Sequence, residues 1–342
     1  MNIFAVGIEL DGEGSHPQAW RRANHAPNQA LSGKTLSRRV AAAENAGFTF
    51  ATFDDSIVPP AGDIRARVDA VARASFVAAT TSTIGLVPVV GTTYAEPFHT
   101  SSQLATLDYS SRGRAGWIPT RVSDPAAARA WGRPEVTTDA NRDREQRDSI
   151  SVARALWDSW EDDAVIRHYA SGRFLDRDKL HYVDFEGESF TVKGPAIVPR
   201  PPQGQLVVFG TESERDLVDV VLVQQAPESR SEGLTFVEID VTLDTASESA
   251  AERADGLGSA PASGRVAYSG SAAGFVDLLT ELASTADGVR LFPTVVDEDV
   301  PVLSRYVLPE LLQAGLAHRP VAGSTFRANL GLARPANRYE RV

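Results

Sequence analysis

The chain has 342 residues, 42% of them hydrophobic and 23% charged, with a formal net charge of −11 and no cysteine. This is the composition of an ordinary globular protein with apolar material for one large core or two modest ones. Its acidity disfavours nucleic acid and anionic membrane as partners, and the lack of thiols excludes disulfides, thiolate metal sites and cysteine nucleophiles.

The first residues, "MNIFAVGIELDG", enter an apolar segment with no basic leader or cleavage site, and no apolar run approaches 18 residues. The sequence therefore reads as cytoplasmic, without a signal peptide or membrane span. The first strand is predicted at 3–10. A helix follows in which Leu36, Val40 and Ala43 share a stripe, and Gly47 is placed to end it in a left-handed cap before a strand at 48–53. Next come a helix with Val68, Val71, Ser75 and Ala79 on one face, a strand at 83–90, a helix stopping near Gly113, and a strand at 114–119. Residues 122–204 read as an insertion holding a helix at 148–160 and a small hairpin that turns near Glu186 and Gly187. Strands at 205–210, 218–224 and 234–243 follow, with 225–233 and 244–270 read as loop. The helical stretch "SAAGFVDLLTELAS" precedes a last strand at 289–296, and a final helix ends at Gly315.

Continuous apolar strands alternating with helices suit a parallel sheet covered on its faces. Eight of them in one chain of this length predict a single (β/α)₈ TIM barrel over 1–342. The rival is a doubly wound open sheet, for which no GxGxxG opens the first helix.

The stretch "ARALWDSWEDDAV" sets Trp157 and Trp160 on one helical face, as packing anchors, and Glu161, Asp162 and Asp163 at its end. Adjacent acids on a helix diverge, whereas acid–base pairs must converge on one atom, so the cluster reads as scaffolding. The six histidines show no metal-ligand spacing, and no GxSxG, Walker or zincin motif occurs.

The string "LWDSWEDDAV", followed by "ASGRF" and "VDFEGESFTVKGP", resembles the luciferase-like flavin monooxygenases, in the branch acting on nitrilotriacetate, EDTA and dibenzothiophene sulfone. "HPQAWR", "TTYAEPFHTSSQLATLD", "SRGRAGW", "DPAAARAWGR" and "FRANLGLARP" match in the same order, while the chain is shorter than the family around 225–270. The resemblance implies a bacterial-luciferase-like barrel that takes reduced FMN from a separate flavin reductase, forms a flavin hydroperoxide and oxidises a small organic substrate. It also implies a dimer. Either the chain pairs with itself, or it is a flavin-less paralogue, a noncatalytic partner subunit or small-molecule binder, paired with an active homologue.

Carried over residue by residue, the resemblance puts Asp55, Thr92 and Thr93 beside the flavin and Ser213 at its phosphate, with His16 a candidate facing the pocket. Each has a plainer reading: Asp55, Thr92 and Thr93 as turn caps, and His16 as a bland loop residue. Three positions depart from the family. Ile118 stands for an asparagine, and Asp139 and Asp143 stand for a histidine and a tyrosine four residues apart on one helical face. Arg121, new relative to the family, is placed to pair with the phosphate or with one of those aspartates.

Overall fold

The eight apolar runs become the eight parallel strands of a closed barrel in the computed structural model, which describes residues 4–58 and 66–340. The ring begins with β1 (Ala5–Glu9), β2 (Phe50–Phe53), β3 (Gly85–Gly91) and β4 (Gly116–Thr120). Two antiparallel pairs interrupt it: β5 (Val165–His168) with β6 (Arg173–Leu175), and β7 (Phe185–Glu186) with β8 (Thr191–Val192). It resumes with β9 (Val207–Gly210), β10 (Val220–Val223) and β11 (Leu234–Leu243). After a side strand, β12 (Val266–Gly270), it closes with β13 (Gly288–Pro293) against β1. Helices α1 (Gly33–Ala46), α2 (Ala70–Ala78), α3 (Pro97–Ser111), α4 (Pro125–Trp131), α5 (Asp139–Asp158), α6 (Ala250–Leu257) and α7 (Ala272–Leu282) lie between strands. The last strand leads into α8 (Val296–Val302), which runs through a π turn into α9 (Leu308–Gln313), and the short α10 (Phe326–Asn329) comes near the end.

Local signals place most boundaries. Gly47 ends α1 at φ 103°, a left-handed conformation that costs a glycine little, and its N–H closes on the carbonyls of Ala43 and Glu44. Four readings are corrected. The buried stripe of α2 is Ala70, Val71, Ala74, Val77 and Ala78, not one through Val68 and Ser75, because Asp69 caps the helix and leaves Val68 outside it. The helix read at 148–160 begins at Asp139, where Thr138 accepts the Asn141 N–H, and ends at Asp158. Residues 244–270 are not all loop. Ser249 and Glu252 form a capping box that starts α6, and β12 pairs with the carboxyl half of β11, Ile239 to Leu243, beyond the Leu234–Val237 stretch that pairs with β10. Finally, a hairpin, β5 with β6, turns through Gly172 at φ 65° where none was predicted.

Glycines and phenylalanines fill the amino-terminal half of the ring. Phe50, Phe209 and Phe236 point inward from three strands, and Phe326 of α10 caps them from below, with centroids 5.4–6.2 Å apart. They fit because the neighbouring strands carry no side chain there. A Cβ on Gly7 would fall 2.0 Å from the Phe50 ring, and one on Gly85 2.7 Å from Phe326.

The acids after α5 are staples. Asp162 accepts from Arg200 and Arg334, and Glu161 pairs with His181. The Trp157 indole donates to the Ser101 carbonyl and fixes α5 to α3, while Trp160, predicted on the same helical face, lies just past the end of α5 and donates to the Ala196 carbonyl. Among the described residues no helix is long and apolar enough to cross a membrane.

Candidate functional site

In a barrel, the carboxyl ends of the strands form the mouth where loops gather chemistry. Interior positions alternate along each strand, so above the phenylalanines the same parity presents Glu9, Thr52, Glu238 and Arg290. These form one buried network. The Arg290 guanidinium donates to Thr52 Oγ1 at 3.0 Å, Glu238 Oε1 at 2.9 Å and Glu9 Oε2 at 2.6 Å. The second oxygen of Glu9 accepts the Asp11 and Asp54 N–H groups, so this carboxylate ties the tips of β1 and β2 together. Phe292 lies between Arg290, 4.5 Å from its ring centroid, and Arg265, 3.8 Å from it, and Arg265 is held by Asp240. Burial and the neighbouring carboxylates of Glu9 and Asp11 push the Asp54 carboxyl up to about 6. A cavity of about 240 Å³, walled by Glu9, Asp11, Asp54, Arg67, Arg265 and Phe292, opens over this network.

Of the carried-over residues, Asp55, Thr92, Thr93, Arg121 and Ser213 lie at the tips of β2, β3, β4 and β9, Ile118 within β4, Asp139 and Asp143 on α5, and His16 in the β1 loop, and each meets partners within the chain. Asp55 accepts the Ser56 N–H at 2.7 Å and the Ala70 N–H at 2.6 Å. Thr92, buried, donates to the Thr120 carbonyl at 3.1 Å, and Thr93, also buried, accepts the Val122 N–H at 3.1 Å. Ile118 is buried among Val89, Phe209 and their neighbours in the barrel interior. Arg121 pairs with Asp143, and Asp139, almost fully exposed, pairs with Arg142. His16 accepts the Gln18 N–H on Nδ1 and holds the Gly258 carbonyl with Nε2 at 3.1 Å, linking the β1 loop to the end of α6.

Ser213 was expected at a helix start. It sits instead in a single 3₁₀ turn, Glu212–Glu214, in which the Glu214 N–H bonds to the Thr211 carbonyl. The fully buried Glu214 carboxylate accepts from the Thr211 N–H at 2.9 Å, the Thr211 hydroxyl at 2.6 Å and the Ser213 hydroxyl at 2.7 Å. Those bonds, opposing the cost of burial, hold its pKa below the usual carboxylate range. A buried carboxylate thus already sits at the position the resemblance gives to a phosphate. With the threonines buried, Arg121 paired and Ile118 apolar, these positions as arranged do not fit FMN.

Two larger cavities flank the mouth. One of about 620 Å³ lies between the tips of β2, β3 and β4 and the start of α3, with Asp55, Gly91, His99, Thr120 and Trp131 in its wall. The other, about 550 Å³, lies between the β1 loop, α1 and α2. Glu13, His25 and Asp297 converge as metal ligands can, but Arg39 bonds to both carboxylates and occupies the group as its cation.

Sequence reading missed the ionic network. The available signal was charge at interior parity inside apolar runs: Glu9 in "GIEL", Glu238 in "FVEI" and Arg290 in "VRLF".

The family model Luciferase-like monooxygenase matches residues 16–222. N-acetyl-S-(2-succino)cysteine monooxygenase of Bacillus subtilis (strain 168) is 34% identical over 215 residues, 62% of this chain and 48% of that protein. The chain thus spans about half the length of that relative. One of the subunits of pristinamycin IIA synthase from Streptomyces pristinaespiralis is 30% identical over 312 residues, which cover 89% of this chain and 91% of that one. The solved structure of a long-chain alkane monooxygenase superposes with a TM-score of 0.82 at 18% identity, covering 97% of this chain and 96% of that chain.

Proposed function

The chain belongs to the luciferase-like monooxygenase family, and from that premise we propose that it is an oxygenase component of a two-component monooxygenase. In that system a separate reductase supplies reduced FMN and a small organic molecule is oxidised. We assign this chain the substrate-binding role, paired with a paralogue that carries the flavin.

The observation behind this division is Glu214. Its carboxylate takes the hydroxyls and amide that an anionic group would use, while Arg121 is committed to Asp143. A phosphate entering there would displace a buried carboxylate that has three bonds, or share its site with a like charge. The relative of similar length, matched over about nine tenths of both chains, is itself one subunit of a synthase. A second reading, a homodimer that binds FMN in each chain, is favoured by the 620 Å³ cavity beside Asp55, whose carboxylate keeps lone pairs beyond the two it uses.

Titration with oxidised and photoreduced FMN, followed by tryptophan fluorescence, separates the two. The isolated chain is expected to show no saturable binding below on the order of 100 μM. Co-expression with a paralogue that retains Asn, His and Tyr at the places of Ile118, Asp139 and Asp143 is expected to yield a complex that binds FMN. Micromolar binding to the isolated chain would replace the first reading with the second.

A further inference from the structure

The 240 Å³ cavity over the barrel mouth holds none of the carried-over positions, and its wall is polar apart from Gly14, Phe292 and Pro293. Most of the acids around it have a close arginine. Glu9 and Glu238 meet Arg290 at 2.6 and 2.9 Å, Asp240 meets Arg265 at 2.8 Å, and Asp11 meets Arg73 at 2.6 Å. Asp54 is the exception. Among the described residues its carboxylate accepts no hydrogen bond, and its closest guanidinium, Arg67, stays 3.8 Å away and gives its other Nη to Asp11 at 3.1 Å.

The main chain fixes this carboxylate at the cavity. The Asp54 N–H donates to Glu9 and its carbonyl accepts from Arg73, while half of its side-chain surface stays open on the cavity wall. Asp55, next in the chain, is turned instead to the Ser56 and Ala70 N–H groups. The Ser15 hydroxyl, exposed on the β1 loop, is a second wall group with no partner among the described residues. With Asp54 ionised, the carboxylates of Glu9, Asp11, Asp54, Glu238 and Asp240 exceed the guanidiniums of Arg67, Arg73, Arg265 and Arg290 by one charge. A proton can take up that excess. Burial, then Glu9 and Asp11, push the Asp54 carboxyl up to about 6, against the pull of Arg67 and Arg290.

We propose that this cavity binds a small organic cation, an ammonium group on a short chain, with Asp54 as its counter-ion and the Ser15 hydroxyl as a further acceptor. Its volume lies below that of pockets enclosing drug-sized ligands, so it suits a compound of few heavy atoms or the charged head of a larger one. An anion would meet Glu9, Asp11 and Asp54 and find Arg73, Arg265 and Arg290 already paired. The inference rests on the proposed function only in calling this amine the substrate, and the binding itself requires neither FMN nor a partner chain.

The test titrates the full chain with n-butylamine, n-butanol and butyrate by ligand-observed NMR at constant ionic strength. The amine, with a pKa near that of lysine at about 10, stays cationic throughout. It is expected to fill one saturable site with a Kd on the order of 1 mM at about pH 7.5, with the alcohol and the carboxylate at least tenfold weaker. Lowering the pH to about 5 protonates Asp54 and is expected to weaken the amine about tenfold. Asp54→Asn is expected to show the same loss at about pH 7.5 and little further change with pH. Ser15→Leu, on the exposed loop, narrows the cavity and is expected to weaken the amine severalfold if the first variant does not fold. Unchanged affinity in both variants overturns the site, as does wild-type affinity that does not fall with pH. Equal affinity for butanol or butyrate overturns the recognition of a cation, and non-saturating uptake overturns the proposal. Micromolar FMN binding to the isolated chain would count against the proposed function and leave this result standing.

Discussion

The amino end of the barrel interior and its carboxyl end are built from opposite materials. Below, four phenylalanine rings meet strands whose facing positions are glycine, and fit depends on shape alone. Above, one guanidinium is shared by two carboxylates and a threonine, and fit depends on charge and proton count. The lower layer sets how firmly the ring closes. The upper layer sets the electrostatic character of the mouth, at a point where buried pairs add little net stability but are costly to break.

The strongest way to break this contrast is at the lower layer. Phe50 touches the other three rings, and Phe50→Ala is expected to lower unfolding stability by about 4 kcal/mol in urea. A loss below about 1 kcal/mol would show that the rings do not share a close-packed layer. At the upper layer, Arg290→Met strands Glu9 and Glu238 and is expected to cost about 3 kcal/mol. Adding Glu9→Gln and Glu238→Gln is expected to recover most of that loss. A triple variant as unstable as the single would mean that shape matters above as it does below.

The smallest effect sharpens the comparison through pH. Asp108, fully buried on α3 near the amino end, is pushed up to about 7 by burial, against the pull of N–H groups from Ala115 and Gln203. A carboxyl easier to protonate folded than unfolded stabilises the fold at low pH and loses that contribution as pH rises from about 4 through about 7. Wild type is therefore expected to lose about 2 kcal/mol relative to Asp108→Asn between about pH 5.5 and about pH 8 in chemical denaturation. A difference that stays flat with pH would place the carboxyl at its ordinary value and leave titration to the mouth.

The lower layer was largely legible because strands buried on both faces announce themselves as apolar runs, and all eight barrel strands were found that way. The shape fit was not legible. Gly7 is visible in "AVGIE", but that it faces Phe50 is a fact of register between strands. At the mouth, residue types could be read and partners could not. Arg121 was expected to pair with a phosphate or with one of Asp139 and Asp143, and in the fold it takes Asp143, while Asp139 finds a partner the sequence reading did not name, Arg142. Glu214 is in sequence only an acid beside Ser213, and in place it accepts the bonds of Thr211 and Ser213. β12 was missed because "VAYSG" has little apolar character; the edge it joins exists only because β11, ten residues long, outreaches β10.

Phe326 gives the chain an order of assembly. The ring that seals the barrel from beneath comes long after the last strand ends at Pro293, and its backbone N–H reaches back to the Gly113 carbonyl. During synthesis, which delivers amino-terminal parts first, all eight strands can leave the ribosome while the bottom of the barrel still stands open to water. A message cut short or a ribosome stalled before this point would release a barrel with greasy rings on display, a mark by which chaperones and proteases could tell an unfinished chain from a finished one.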